Sequence, residues 1–391
     1  MSSSGSARRS FLFGRAAVAA AAILAGAWLP PAHAQPAIKV GVLVASTGPL
    51  AFVGDPEAKT VKLLVEQVNR AGGVLGRPVE AVVYDTGADA RQATTLARRL
   101  IENDKVDFMI GPSSSGETMA VVPIIEEAGL PLISMAAANA IIEPVKKWVF
   151  KTPHSYQQAI EKIFSDMRER GIKTVGIIAG AGGADQDCRN EAHKSAAAYG
   201  LRIAADETHA PADTDMTPQL TRIRGSGAAA ILGCNTGSTS VITTRNYRQM
   251  GMKVPLYFQH GAGSQQFIDQ TAGASEGVRV PVPAVLVASQ LAADDPQLEI
   301  ASRYAKAFKA ATGEAVSAFG AYAHDALLLG LDAVRRAGSA DKAKVREQLE
   351  KTSDFIGATG IYKMTAKDHM GLDQRSFKMA EIRNGAFVLV K

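Results

Sequence analysis

The sequence is poor in several residues that particular classes of protein require. Two cysteines in 391 residues exclude a small disulfide-framework protein. Lysine and arginine form no block and aromatic residues make up only 6%, so no basic, aromatic-rich surface for nucleic acid is expected. The seven histidines are scattered, with no pair at metal-ligand spacing. A chain of this length can bury two cores without crosslinks.

The one long apolar run lies near the N-terminus. Arg8 and Arg9 precede the run Ala16–Leu29, and Ala32-His33-Ala34 follows it as a small-x-small cleavage pattern. A run of 14 residues is shorter than the roughly 20 that span a bilayer. We therefore predict a cleaved twin-arginine signal peptide over residues 1–34, with the uncleaved anchor as the alternative. The mature chain would start at Gln35 and be periplasmic.

Removing this leader changes the charge balance. The whole chain carries 43 basic and 38 acidic side chains, a formal net charge of +5. Residues 1–34 hold three arginines and no acid, so the mature chain has a net charge of +2. The basic character of the full sequence is therefore no evidence for a polyanionic partner.

Strand and helix patterns alternate along the rest of the chain. Ile38–Val44 is an apolar strand pattern, and the helical pattern that follows stops at Gly72-Gly73. The same alternation restarts after Thr152-Pro153 and continues to Phe258. Units of about 30 residues predict parallel sheets covered by helices on both faces. The fold class is therefore α/β, with two doubly wound lobes.

Ligands of such sheets bind beyond the carboxyl ends of the strands. The loop Gly180–Asp185 lies there and is glycine-rich, which raises the alternative of a dinucleotide-dependent oxidoreductase. However, Asp185 stands where the fingerprint has its third glycine, and its carboxylate would repel a pyrophosphate. The serines Ser113–Ser115 lack a nucleophile-elbow pattern, which favours hydrogen bonding over hydrolysis.

Two further features leave alternatives open. Cys188 and Cys234 either pair in an oxidising compartment or remain two buried thiols, and the sequence does not decide between them. His324 and Asp325 lie in an apolar helical pattern, which favours a packing role over an acid–base pair.

A set of motifs, in order and at characteristic spacings, covers nearly all of the mature chain: Ser46–Pro49, Val68–Pro78, Tyr84–Thr86, Ile110–Pro112, Glu126–Ser134, Glu276–Val278, Tyr322–Ala326 and Asp368–Leu372. Together these motifs resemble the Leu/Ile/Val-binding type of periplasmic solute-binding protein that serves ABC transporters. This resemblance implies a type I periplasmic-binding-protein fold, in which two lobes joined by three crossings close over one solute.

The resemblance also implies where the chain crosses between the lobes. The crossings are expected near Thr152-Pro153, Val280–Val282 and Lys363–Thr365. Lobe 1 would then hold residues 35–152 plus 283–364, and lobe 2 would hold residues 153–282 plus 365–391.

Ligand positions follow from the resemblance residue by residue. Ser115 and the backbone of Ala136 and Ala138 correspond to the group that receives the solute carboxylate, although Ala138 lacks the hydroxyl of the family's threonine. The other positions expected in the cleft are Phe52, Val53, Ala184, Asn235, Thr236 and His260.

His260 is the most informative departure from the family pattern. It stands where amino-acid binders place the glutamate that pairs with the solute ammonium. A neutral imidazole provides no negative charge, so an ammonium would be buried without its partner. This favours a carboxylate without an amine, an aromatic or aliphatic organic acid. The alternative is that another second-lobe carboxylate, such as Asp185, replaces the glutamate.

The function expected from these residues is binding and delivery without catalysis. The predicted partners are a small solute and the permease subunits of an ABC importer, with no cofactor, no nucleic acid and a monomeric state. A periplasmic ligand sensor for a membrane kinase is a further alternative, since the fold alone does not separate it from a transport receptor.

Overall fold

The computed structural model describes residues 36–210 and 212–390. The predicted leader, with Gln35, lies outside these residues. Within them, none of the helices is both long and apolar enough to cross a membrane.

The first sheet and its helices come from the start of the described chain. The elements, in order, are β1 (Ile38–Val44), α1 (Ala51–Arg70), β2 (Val79–Asp85), α2 (Ala90–Glu102), β3 (Phe108–Ile110), α3 (Ser115–Ala128), β4 (Leu132–Ser134) and β5 (Val149–Lys151). All neighbouring strands pair in parallel, in the order β2-β1-β3-β4-β5. The order reverses beside β1, so the loops after β1 and β3 diverge and leave a crevice between them.

The second sheet is built from the middle and the end of the chain. The elements from the middle of the chain are α4 (Tyr156–Glu169), β6 (Thr174–Gly180), α5 (Gly183–Ser195), β7 (Arg202–His209), α6 (Thr217–Gly225), β8 (Ala230–Cys234), α7 (Ser238–Gln249), β9 (Leu256–Phe258), α8 (Gln265–Thr271) and β10 (Arg279–Pro283). The elements that follow β10 in the chain are α9 (Leu298–Thr312), α10 (Ala318–Ala337), α11 (Lys342–Glu350), β11 (Phe355–Ile356), β12 (Ile361–Tyr362), β13 (Phe377–Arg383) and β14 (Ala386–Leu389).

The strand order of the second sheet is β14-β13-β10-β9-β8-β6-β7, and β13 alone runs antiparallel to its neighbours β10 and β14. Its reversal lies beside β6, so a second crevice opens at the ends of β6 and β8. The predicted doubly wound α/β architecture is confirmed. Helix α10 packs into the apolar core of the first sheet, which explains its near-continuous apolar sequence.

Several boundaries differ from those that periodicity predicts. Helix α1 begins at Ala51 rather than near Pro56, and Pro56 lies inside the helix. Helix α5 begins at Gly183 rather than near Asp187, immediately after the glycine-rich loop. Strand β5 and helices α8 and α11 are short, and the sequence pattern did not predict them.

The chain passes between the sheets three times. The first passage follows β5. The segment Val280–Val282 lies inside β10, so the second passage comes after Pro283. Met364 and Leu372 pack in the core of the first sheet, and the third passage therefore comes between Leu372 and β13, later than Lys363–Thr365. Val280–Val282 belongs to the sheet because it pairs antiparallel with β13. The prolines in this segment hide its strand pattern in the sequence.

A buried carboxylate ties these passages to α10. Asp325 accepts the backbone N–H groups of Ala358 (2.7 Å) and Thr359 (2.8 Å). The Tyr362 hydroxyl lies 3.1 Å from both an Asp325 carboxyl oxygen and the Thr152 carbonyl, and its one proton is shared between these two acceptors. All these partners are internal, which agrees with the packing role expected for this residue.

A disulfide joins Cys188 of α5 to Cys234 at the end of β8. Of the two alternatives left open by the sequence, the structure therefore has the disulfide and not two separate thiols. The bond links the helix that follows β6 to the neighbouring strand, and so fixes both sides of the second crevice.

The disulfide is expected to stabilise the protein measurably. Its cysteines are 46 residues apart, and crosslinking a loop of this size restricts the unfolded chain by about 2–4 kcal/mol. Urea unfolding with and without dithiothreitol should show a loss of this order on reduction. The double variant C188A/C234A serves as control and should not respond to reductant. Coincident curves for the oxidised and reduced wild type would contradict the expectation.

Candidate functional site

A cavity of about 380 Å³ lies where the two crevices face each other. The first lobe contributes the loops after β1, β3 and β4, and the second lobe contributes those after β6, β8 and β9. The starts of α4 and α10 complete the wall. A ligand held here would contact both lobes.

The first-lobe wall presents a helix N-terminus. Helix α3 starts at Ser115 with Ser114 as its N-cap, whose hydroxyl accepts the N–H of Glu117 at 3.3 Å. The Ser115 hydroxyl accepts the N–H of Ala138 at 3.2 Å, which leaves its own proton to donate into the cavity. Hydroxyl and first-turn N–H groups at the positive end of a helix dipole form an anion site.

The turn after β4 lies behind this hydroxyl. The N–H of Ala136 donates to the Ser134 hydroxyl at 3.1 Å, and that of Ala138 donates to Ser115. Both N–H groups that the resemblance assigned to the solute carboxylate therefore have protein partners in this structure. Ala136 lines the cavity, whereas Ala138 supports Ser115 from outside it.

A buried lysine holds the same turn. The Lys151 ammonium donates to the carbonyls of Ala137 and Ala138, the latter at 3.5 Å, and its side chain is fully buried. Burial lowers the pKa of Lys151 to about 7, against the opposing influence of Glu143 and Asp187. Near neutral pH this group adds positive charge behind Ser115 and the turn after β4.

Of the described residues, Asp185 on the second-lobe wall is the one acid that lines the cavity. Asp185, in the first turn of α5, has its pKa raised to about 7 by burial, although a hydrogen bond from Thr236 acts in the opposite direction. Thr236 is fixed in turn by Gln259, whose Nε2 donates to its hydroxyl at 2.7 Å.

His260 lies on the same wall and is uncharged. It is 3% exposed, and burial lowers its pKa to about 3, helped by the nearby charge of Lys151. Its ring packs against Tyr156 with centroids 5.2 Å apart, and its Nδ1 is buried without a hydrogen-bond partner. The imidazole therefore cannot replace the negative charge of a glutamate.

The remaining wall is largely apolar and aromatic. Tyr156 of α4 and Phe319 and Tyr322 of α10 line it together with Val53 and Met135. Burial raises the pKa values of both tyrosines, so the two hydroxyls stay neutral. Asp185 is therefore the cavity-lining group of the described chain that changes charge near neutral pH.

The structure brings six of the nine predicted site residues to the cavity, namely Val53, Ser115, Ala136, Ala184, Thr236 and His260. Ala138, Phe52 and Asn235 lie outside it. The Phe52 ring lines two outer grooves and lies against Gly237, where a Cβ in place of the glycine hydrogen would come within 3.0 Å of the ring. Asn235 points into the second lobe and donates to the Thr243 hydroxyl at 2.9 Å.

Sequence reasoning missed the aromatic residues and the lysine. Tyr156, Phe319 and Tyr322 stand in the first turns of helices that the periodicity had located, but nothing in the pattern distinguishes a cavity wall from a core. Lys151 occurs in the apolar context Val149–Thr152, and a lone lysine there is the signal that could have been read.

Comparisons with known proteins place this geometry in a family. The family model for periplasmic binding proteins matches residues 37–386. The chain belongs to the periplasmic binding protein family. Members of this family bind solutes, and the two-lobed cavity has the architecture that such binding requires.

Individual relatives are similar over most of their length. The leucine-, isoleucine-, valine-, threonine- and alanine-binding protein of Pseudomonas aeruginosa is 26% identical over 83% of this chain and 84% of its own. An extracellular ligand-binding receptor of Rhodopseudomonas palustris HaA2 superposes with a TM-score of 0.84 at 30% identity, covering 91% of this chain and 100% of the receptor. The branched-chain amino acid transporter substrate-binding protein LivJ of Streptococcus pneumoniae, solved with isoleucine, gives 0.80 at 26% identity over 90% and 97% of the two chains.

Removing the Ser115 hydroxyl should weaken the binding of a carboxylate. Ser115→Ala deletes a donor to a charged group, which costs about 1–3 kcal/mol of binding free energy. Calorimetric titration with benzoate and with leucine would measure this loss. Ser165→Ala, on an exposed face of α4, is the matched control. An affinity unchanged by Ser115→Ala would remove this residue from the binding contacts.

Lys151 should make stability depend on pH. Its pKa of about 7 in the folded protein lies below the ordinary value of 10.5, so between these values the unfolded chain binds the extra proton. The free energy of unfolding should therefore rise with pH across this window, by up to about 1.4 kcal/mol per unit. Urea unfolding at pH 7 to 10 should show a steeper rise for the wild type than for Lys151→Met. Equal slopes would refute the expectation.

Proposed function

We propose that this protein is the solute receptor of an ABC importer and that its solute is a carboxylic acid without an amine. Closure of the lobes over the acid would create the form that the permease recognises. The predicted export signal fits this role, because such a receptor works in the periplasm.

The observation that carries the proposal is the charge distribution around the cavity. On one wall, Ser115 and the N-terminus of α3 provide donors for an anion, with Lys151 behind them. On the other wall, the N-terminus of α5 also faces the cavity, and His260 is neutral. Positive helix ends on both sides favour an anionic solute.

Asp185 is the group that an amino acid would require. Burial raises its pKa to about 7, so near neutral pH Asp185 does not provide a full negative charge. An ammonium would have to ionise Asp185 on binding. A carboxylate without an amine leaves it protonated, which supports the organic acid.

Amine-free acids and amino acids should differ in how their binding affinity depends on pH. An added anion raises the pKa of Asp185, so binding of benzoate should take up protons and tighten as pH falls from 8 to 6, by up to about tenfold per unit for each proton. Leucine would instead release a proton from Asp185 and bind more tightly as pH rises. Calorimetry at several pH values, in buffers of different ionisation enthalpy, measures both quantities.

Asp185→Asn provides the control for this experiment. The amide remains neutral, so benzoate should still bind, with only the shallower pH dependence that Lys151 contributes in the same direction. Leucine binding would be lost in this variant if Asp185 is its ammonium partner. Micromolar leucine binding with proton release in the wild type, and no response to any amine-free acid, would overturn the organic-acid proposal.

A further inference from the structure

The second-lobe wall contains a hydrogen-bond chain with a fixed direction. The Gln259 Oε1 accepts the N–H of Gly261, while its Nε2 donates to the Asn235 carbonyl (3.3 Å) and to Thr236 Oγ1 (2.7 Å). These partners set the orientation of the amide. Because Thr236 Oγ1 accepts from Gln259, its own proton is left to donate on the cavity side, where Thr236 and Asp185 line the same wall.

This chain ends at the Thr236 hydroxyl, which lines the cavity together with the Asp185 carboxyl. Among the residues that the structure describes, Asp185 forms no ion pair within 4 Å, although other acids of α5 and β7, such as Glu191 and Asp206, do. The disulfide at Cys188 holds the first turns of α5 against the end of β8, where Thr236 follows. The carboxyl is therefore positioned by protein contacts and left without a cationic partner.

We infer that Asp185 and Thr236 form a polar subsite that takes a hydroxyl or carbonyl group of the solute, so that the acid is an oxygen-substituted one. This inference rests on the proposed function. An unsubstituted hydrocarbon acid would cover the carboxyl on lobe closure without replacing its hydrogen bond to water. A second carboxylate would face the acid of the subsite, so an uncharged oxygen group fits best.

The other residues of this wall agree with an uncharged group. His260 is neutral, and Tyr156 keeps its proton, so neither compensates a charge on the solute at this position. The hydroxyl of a solute can donate to the carboxylate or accept from the carboxylic acid, and so satisfies Asp185 in either protonation state.

Matched pairs of acids test the subsite. Dissociation constants would be measured for benzoate against its three monohydroxy derivatives, and for hexanoate against 6-hydroxyhexanoate, with the mature wild-type protein. At least one hydroxylated acid should bind tenfold or more tightly than its unsubstituted partner. Wild-type binding of both members of every pair with equal affinity would overturn the subsite while leaving the proposed function intact.

Three variants test which residue causes the difference in affinity between a hydroxylated acid and its unsubstituted partner. Asp185→Ala should abolish the difference within the preferred pair, whereas Asp185→Asn, which keeps hydrogen-bonding groups, should retain part of it. Ser115→Ala should weaken both members by the same factor and leave their ratio unchanged. A ratio that survives in Asp185→Ala would also overturn the subsite. Failure of every carboxylic acid to bind the wild type, with leucine binding instead, would overturn the proposed function together with it.

Discussion

The buried carboxylate of Asp325 is the contact on which the arrangement of the cavity depends. A carboxyl group with no access to water needs hydrogen-bond partners, and Asp325 has the N–H groups of Ala358 and Thr359, the hydroxyls of Thr359 and Tyr362 and the ring of the adjacent His324. Since the Tyr362 hydroxyl also lies within hydrogen-bond distance of the Thr152 carbonyl, one residue of α10 connects the first passage between the sheets with the segment that precedes the third. The same helix carries Phe319 and Tyr322 into the cavity, so the aromatic wall is positioned relative to these passages.

The two walls of the cavity differ in how their polar groups are supported. In the first lobe, a helix N-terminus and a turn held by Lys151 direct donors towards one point. In the second lobe, a chain of amide and hydroxyl groups ends at Thr236, beside Asp185. Under the proposed function, the first arrangement would recognise the charge of the solute, and the second would distinguish between solutes that share that charge. Such a division would allow relatives to keep a common first lobe and change specificity through the second.

Much of the fold follows from the sequence because parallel sheets impose a strict alternation of apolar strands and amphipathic helices. The residues of the site were harder to predict, and the predicted residues that lie outside the cavity do so for a geometric reason. Asn235 and Thr236 are neighbours at the end of β8, where successive side chains point to opposite sides, so only Thr236 reaches the cavity. Phe52 and Val53 are neighbours in helix α1, where successive side chains point in different directions around the helix axis, and only Val53 lines the cavity. The contributions of Tyr156 and Lys151 depend on how the passages bring distant segments together, which a local pattern does not encode.

The contact between Phe52 and Gly237 joins the two lobes outside the cavity. At this edge an aromatic ring of the first lobe lies against glycine backbone of the second, so the contact is apolar. The Phe52 ring also lies edge-on to Phe319, with centroids 5.7 Å apart, and Phe319 lines the cavity. A smaller side chain at position 52 would therefore remove both an apolar contact between the lobes and a support of the aromatic wall, without deleting a group that lines the cavity.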